Sequence, residues 1–141
     1  MKKIALFITI GILLFTVFSC SKDENCSFSK STFENKTYKT SIVKIDSSGV
    51  DVTSRYSALL TIDPCFNNTT TLNASGTYTT NKVSNCTDPA KSGVWSVNTT
   101  NGKNYFVLDG SSSEVSAFDC NSVSIKKNNG NITFTFKMTK I

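Results

Sequence analysis

Residues 132–139, ITFTFKMT, decide the fold class of this chain. Four large apolar residues alternate here with threonines and a lysine: Ile132, Phe134, Phe136 and Met138. Successive side chains of a β-strand point to opposite faces of the sheet. The stretch therefore predicts a strand with one buried face and one solvated face.

Short segments of the same kind run through the chain upstream of this strand. Turn residues separate them, and Asn101-Gly102 is the strongest two-residue hairpin signal. The abundance of Thr, Ser and Asn also favours strands and turns over helices. The predicted strands cover residues 36–46, 69–72, 77–80, 93–98 and 103–109, followed by 115–120 and 122–126 as one bent strand or two short ones.

Residues 56–62 are compatible with a helix or with a strand. Four positions alternate with period two, Tyr56, Ala58, Leu60 and Ile62, whereas only three fit one helical face. The larger number of matches favours a strand. Pro64 ends it, because proline lacks the N–H that a strand ladder needs.

About eight strands joined by short turns predict an all-β fold. Closure into a small up-and-down antiparallel β-barrel buries one apolar face and leaves no unpaired edges. A β-sandwich of the same strands is the alternative, because the pattern does not measure closure.

The start of the chain is typical of a signal peptide. A basic opening is followed by an apolar run at residues 4–18, shorter than the ~20 residues of a transmembrane helix. The sequence VFSC at 17–20 resembles the lipobox of bacterial lipoproteins, in which the cysteine, here Cys20, is acylated and becomes the new N-terminus. An ordinary secretory signal with a chance cysteine is the alternative.

The chain is thus predicted to consist of a signal peptide (1–19), an acylated cysteine with its tether (20–35) and a β domain (36–141). The tether opens with SKDE, which resembles the surface-export signal of Bacteroidota-type lipoproteins, and a solvated linker is the alternative. Fatty acyl chains such as palmitate on Cys20 are sufficient for stable anchoring. The expected location is the outer membrane, where the lipid holds the protein at the cell surface or on the periplasmic face.

The net charge indicates no nucleic-acid partner. The formal charge of +5 falls to +3 when the two lysines of the signal are removed, and the mature chain contains no dense basic run. Lys126 and Lys127 are its only adjacent basic pair, which is typical of a solvated hairpin end. A monomer is expected.

Four cysteines remain after Cys20, which predicts two disulfides in an exported domain. Four cysteines permit three pairings, and sequence alone does not fix which forms. The favoured pairs are Cys65 with Cys86, which closes a short loop, and Cys26 with Cys120, which ties the start of the domain to a late strand. No C-x-x-C pair and no histidine occur, so no metal site is expected.

The titratable side chains do not predict an enzyme. The chain has no histidine, and no pair of carboxylates stands out as a hydrolase dyad. Cysteines held in disulfides are poor nucleophiles. Neither catalysis nor a cofactor is therefore expected.

Several motifs in order resemble a known family. Cys65-Phe66, the stretch TLNASGTY at 71–78, Cys86 and GVWSV at 93–97 look like the lipocalin-like domain of bacterial surface lipoproteins. The resemblance covers roughly residues 36–141. It implies a barrel in an extracytoplasmic setting, and it implies no chemistry.

A barrel of about eight strands holds one small ligand or is filled by its own side chains. Two functions follow. The first is capture of a small apolar or sugar-like molecule inside the barrel, and the second is an interaction or structural module that binds another surface protein or a polysaccharide through its outer face. The candidate ligand-binding residues are the aromatic side chains Tyr78, Trp95, Tyr105, Phe134 and Phe136.

Overall fold

The strand predicted at residues 132–139 is the element that closes the sheet. The computed structural model describes residues 26–141, and the predicted signal peptide and the predicted lipidation site Cys20 lie outside them. The final strand pairs with the preceding strand on one side and with the first long strand on the other. Eight strands thereby form a closed antiparallel barrel with one short extra strand at its side. This confirms the predicted barrel over the sandwich.

The strands follow one another around the barrel in chain order, apart from the short strand Val50–Asp51, which pairs only with the end of the first strand. Within residues 26–141, no helix has the length and apolar character needed to cross a membrane. The strands are β1 Lys36–Ser47, β2 Val50–Asp51, β3 Thr69–Leu72, β4 Thr77–Asn81, β5 Ser92–Thr100, β6 Lys103–Leu108, β7 Ser111–Phe118, β8 Ser122–Asn129 and β9 Ile132–Lys140, and the helices are α1 Lys30–Phe33, α2 Thr53–Ile62 and a 3₁₀-helix at Pro64–Asn67.

Tight turns join neighbouring strands and fix their register. The predicted Asn101-Gly102 hairpin is present, and both residues have positive φ, 51° and 73°. Asp109-Gly110 repeats this conformation between β6 and β7. Two consecutive positive φ values give the turn a twist that matches the flanking strands.

The strand predicted at residues 56–62 is wrong, because the structure contains helix α2 there. The backbone N–H and carbonyl of Ile45 in β1 are hydrogen-bonded to the residues where the helix begins. Val52 N donates to the Ile45 carbonyl (2.8 Å), and Ile45 N donates to the Thr53 hydroxyl (2.8 Å). The Asp51 carboxylate in turn accepts from Thr53 N (2.9 Å), so the first helical residue is held in place. Counting the apolar positions of residues 56–62 cannot detect these hydrogen bonds to a distant segment.

An aromatic cluster fills one end of the barrel, which we call the closed end. Phe33, on α1, is 2% exposed and contacts Phe106 edge-to-face, with ring centroids 5.6 Å apart. Phe28 and Phe118 pack beside it. Residues 26–35, assigned to the tether from sequence, therefore include a plug for the barrel.

Both disulfides have the pairing that the sequence favoured. Cys26 is bonded to Cys120, with Cα atoms 5.5 Å apart, and this bond fastens the plug to the turn between β7 and β8. Cys65 is bonded to Cys86, with Cα atoms 4.6 Å apart, near the other end. Each bond restricts the unfolded chain and so stabilises the fold.

The plug should contribute strongly to stability. We expect Phe33→Ala to lower the free energy of unfolding by about 3–5 kcal/mol, because it leaves a cavity among packed rings. Phe66→Ala is the matched control, since Phe66 is 40% exposed, and it should cost less than about 1 kcal/mol. Urea unfolding measures both. Similar losses for the two variants would contradict the assignment of α1 as a core element.

Candidate functional site

The end of the barrel opposite the plug, which we call the open end, contains a cavity of about 530 Å³. It lies between the two walls of the sheet and opens to solvent. Ligand sites in proteins typically have volumes of roughly 300–1,000 Å³. The cavity is therefore large enough for one small organic molecule.

The floor of the cavity is apolar. Ile125 on β8 and Met138 on β9 are 8% and 3% exposed, and both also belong to the core cluster. Leu108 and Phe136, half-buried, complete the apolar lining. The cavity therefore adjoins the packed core directly and extends from it toward the open end.

Hydroxyl groups line the walls of the cavity beside these apolar residues. They come from β1, β3 and β4 on one side and from β7 on the other. In the described part of the chain, no side-chain hydrogen bond joins any of these hydroxyls to the protein, although they face a common space. The hydroxyl-bearing residues are Thr40, Thr70, Thr80, Ser111 and Ser113.

Two lysines and one aspartate complete the cavity lining. Lys91 precedes β5, Lys127 lies near the end of β8, and Asp109 is in the turn after β6. All three are exposed, which places their charges at the mouth.

A smaller cavity of about 220 Å³ adjoins the mouth beside the 3₁₀-helix. It shares Lys91 and Phe136 with the main cavity and extends to Phe66 and Pro89. The Cys65–Cys86 disulfide joins the 3₁₀-helix to the loop before β5. This bond therefore shapes one side of the mouth.

A hydrogen bond across β5 supports the cavity wall. The Tyr78 hydroxyl donates to Asp109 Oδ2 at 2.7 Å, and Val94 N donates to Asp109 Oδ1 at 2.9 Å. Gly93 lies beneath the pair. A Cβ atom at Gly93 would overlap Asp109 Oδ1 and lie 2.8 Å from Tyr78 Cε1. Position 93 thus requires glycine, because the side chains of Asp109 and Tyr78 lie where a Cβ atom would be.

The same bonds shift the acidities of the two partners. The hydrogen bond from Tyr78, followed by that from Val94 N, holds the pKa of the Asp109 carboxyl below its ordinary value. The bond to Asp109, followed by partial burial, raises the pKa of the Tyr78 hydroxyl. At neutral pH, Asp109 is an anion and Tyr78 its neutral donor.

The structure brings two of the five predicted ligand-binding residues to the cavity, Tyr78 and Phe136. Trp95 is 3% exposed and stacks on Phe106 in the core, and its indole N–H donates to the Asn73 carbonyl at 3.0 Å. Binding by any of these residues stays a prediction.

The other two candidates lie elsewhere. Tyr105 precedes Phe106, whose ring is in the core, so strand alternation places Tyr105 on the outer face. Phe134 shares the inward face of β9 and stacks on Phe136, with ring centroids 6.1 Å apart, but it is absent from the cavity lining.

Sequence reasoning missed the polar lining of the cavity. The predicted strand 122–126 ended before Lys127, which was interpreted as part of a solvated hairpin end. β8 continues to Asn129, so Lys127 lies in phase with Ile125 on the inward face. Extending the predicted strand by one residue would have found it, whereas nothing in the sequence marks Lys91.

The site has no arrangement typical of a metal centre. Within residues 26–141, no group of three or more cysteine, aspartate or glutamate residues is placed to hold a metal ion. The lining instead offers hydroxyls, ammonium groups and apolar surface, which recognise a ligand by shape, charge and hydrogen bonds.

Comparison with models of known protein families, with curated proteins and with solved structures finds no significant match for this chain.

The close approach at Gly93 should be detectable by mutation. We expect Gly93→Ala to lower the free energy of unfolding by about 1–3 kcal/mol, because the new methyl group displaces Asp109 and Tyr78. In an Asp109→Ala background, the same substitution should cost less, which a double-mutant cycle of urea unfolding measures. Equal costs in the two backgrounds would show that the clash lies elsewhere.

The Asp109 bonds also predict a pH dependence. Because the folded pKa of Asp109 lies below its unfolded value, its contribution is fully present above about pH 4 and is lost as the pH falls through the folded pKa. Acidification from pH 6 to pH 3 should therefore destabilise the wild type more than Asp109→Asn. Urea midpoints at both pH values test this. Parallel decreases in the two proteins would refute it.

Proposed function

We propose that this chain is an extracytoplasmic, lipid-anchored, lipocalin-like protein that captures a small apolar or sugar-like molecule in the open end of its barrel, without catalysis. The observation that carries the proposal is the uneven filling of the barrel. Aromatic side chains pack the closed end, whereas the open end retains a cavity of about 530 Å³ lined by polar groups and by an apolar floor. Convergence of a few polar groups on an apolar pocket is the usual form of a small-molecule site.

The position of the proposed anchor is compatible with access to this cavity. Cys26, six residues after the proposed lipidation site Cys20, is bonded to Cys120 at the closed end. Six extended residues span at most about 20 Å. An acyl chain on Cys20 would therefore hold the closed end toward the membrane and leave the mouth directed away from it.

Two disulfides and the closed barrel support the extracytoplasmic part of the proposal. Structural disulfides persist in oxidising compartments and are rare in the cytosol. The barrel is also the fold that the resemblance to lipocalin-like lipoprotein domains implies.

Native mass spectrometry of the full chain extracted from its host membrane tests the capture of a ligand. We expect a small molecule to accompany the folded wild type and to be lost from Ser113→Trp, in which the indole ring occupies the cavity. Ser112→Trp is the matched control, because Ser112 lies on the outer face of the same strand, opposite Val107.

Unchanged circular dichroism and urea midpoints should accompany both variants. A wild type that carries no molecule, or equal retention by the two tryptophan variants, would contradict binding inside the barrel. The first outcome would favour an interaction module that uses the outer face.

A further inference from the structure

The two lysines of the cavity lie on opposite walls of the barrel. Lys127 is on the inward face of β8, opposite Phe134 of β9. The Lys91 carbonyl accepts a hydrogen bond from Thr80 N at 2.7 Å, which holds the start of β5 against β4. Lys91 directly precedes β5, which is three strands from β8 in a barrel of eight, so the two lysines lie on largely opposite sides of the mouth.

Neither ammonium group is neutralised by the protein. Among residues 26–141, the ion pairs are Lys44–Asp46 and Lys103–Glu114, and no hydrogen bond from the Lys91 or Lys127 side chain is found there. A charged group that faces a partly apolar space is favourable only when it is solvated or paired. Both ammonium groups are therefore available to pair with a ligand.

The single anion of the lining does not cancel this charge. Asp109 leaves a formal charge of +1 in the cavity, counted over the two lysines and this carboxylate. Its oxygens already accept hydrogen bonds from the Tyr78 hydroxyl and from Val94 N. Asp88 lines the adjoining smaller cavity beside Lys91, but among residues 26–141 it forms no ion pair. A ligand in the larger cavity therefore meets two ammonium groups that are not paired with a carboxylate.

The hydroxyls of the walls complement the same ligand chemistry. Ser111 and Ser113 on β7 and Thr80 on β4 line the same cavity as the lysines and the apolar floor. Each hydroxyl can donate a hydrogen bond to an anionic oxygen. The apolar floor, in contrast, favours a hydrocarbon or aromatic part of the ligand.

Resting on the function proposed above, we infer that the ligand is a small amphipathic organic anion. Its carboxylate or sulfonate group lies between Lys91 and Lys127, and its apolar body lies on the floor formed by Ile125, Met138, Leu108 and Phe136. The requirement for an anionic group restricts the ligand to a narrower class than the apolar or sugar-like molecules proposed above.

Two fluorescent probes that differ in one charged group test this inference with the full chain. Anilinonaphthalene sulfonate carries an anionic group, and N-phenylnaphthylamine is the same ring system without it. We expect the sulfonate to bind at least about tenfold more tightly at low salt, and the preference to shrink as salt screens the lysines.

Charge-removing variants locate the anionic group. Lys91→Gln and Lys127→Gln should each weaken binding of the sulfonate about threefold to tenfold and leave the neutral probe unaffected. Lys126→Gln is the matched control, because Lys126 is the neighbouring residue of β8 on the outer face, opposite Glu114. It removes the same net charge without touching the cavity, so binding of the sulfonate should be unchanged.

The outcomes separate this inference from the function on which it rests. Equal affinity for the two probes, or equal losses in all three lysine variants, would overturn the anionic ligand while leaving capture inside the barrel in place. Failure of both probes to bind, together with an empty wild type in native mass spectrometry, would overturn both proposals.

Discussion

The hydrogen-bonded pairing of β1 with β9 is the constraint on which the rest of the structure depends. It runs from Tyr38 opposite Lys140 to Ser47 opposite Ile132 and joins the first long strand to the last. Every barrel strand then has a neighbour on each side, so no long edge is left to pair with another chain. Closure also directs one face of every strand inward, which leaves the two barrel ends as the places where the interior meets solvent.

The two ends of the barrel differ because the inward side chains differ in size. At the closed end, Trp95, Phe106 and the Phe33 ring from α1 fill the interior, and the Cys26–Cys120 bond holds that plug in place. At the open end several inward positions of β3, β4 and β7 carry threonine or serine. Small hydroxyl side chains from facing walls do not meet at the centre of an eight-stranded barrel, and a cavity remains. The closed end therefore contributes packing stability, whereas the open end provides space for a ligand.

The polar groups of the open end gain their significance from this arrangement. On a solvated surface, scattered serines, threonines and lysines form hydrogen bonds with water and do not indicate a binding site. Here Lys127 shares an inward face with Ile125, so a charge and an apolar contact lie within reach of one small molecule. The Tyr78–Asp109 bond, made possible by the missing side chain at Gly93, keeps one wall of this site fixed.

The sequence by itself determined the features that depend on neighbouring residues: the alternation of 132–139, the hairpin at Asn101-Gly102 and the all-β class. It also favoured the disulfide pairing that the structure contains. Only the tertiary structure decided that α2 is a helix, because the hydrogen bonds that Val52 donates to Ile45 and that Thr53 accepts from Ile45 join segments that period counting treats separately. The same holds for the site. Alternation assigns a residue to the inward face, but whether that face is packed, as at Trp95, or open, as at Phe136, depends on what the opposite wall and the plug provide.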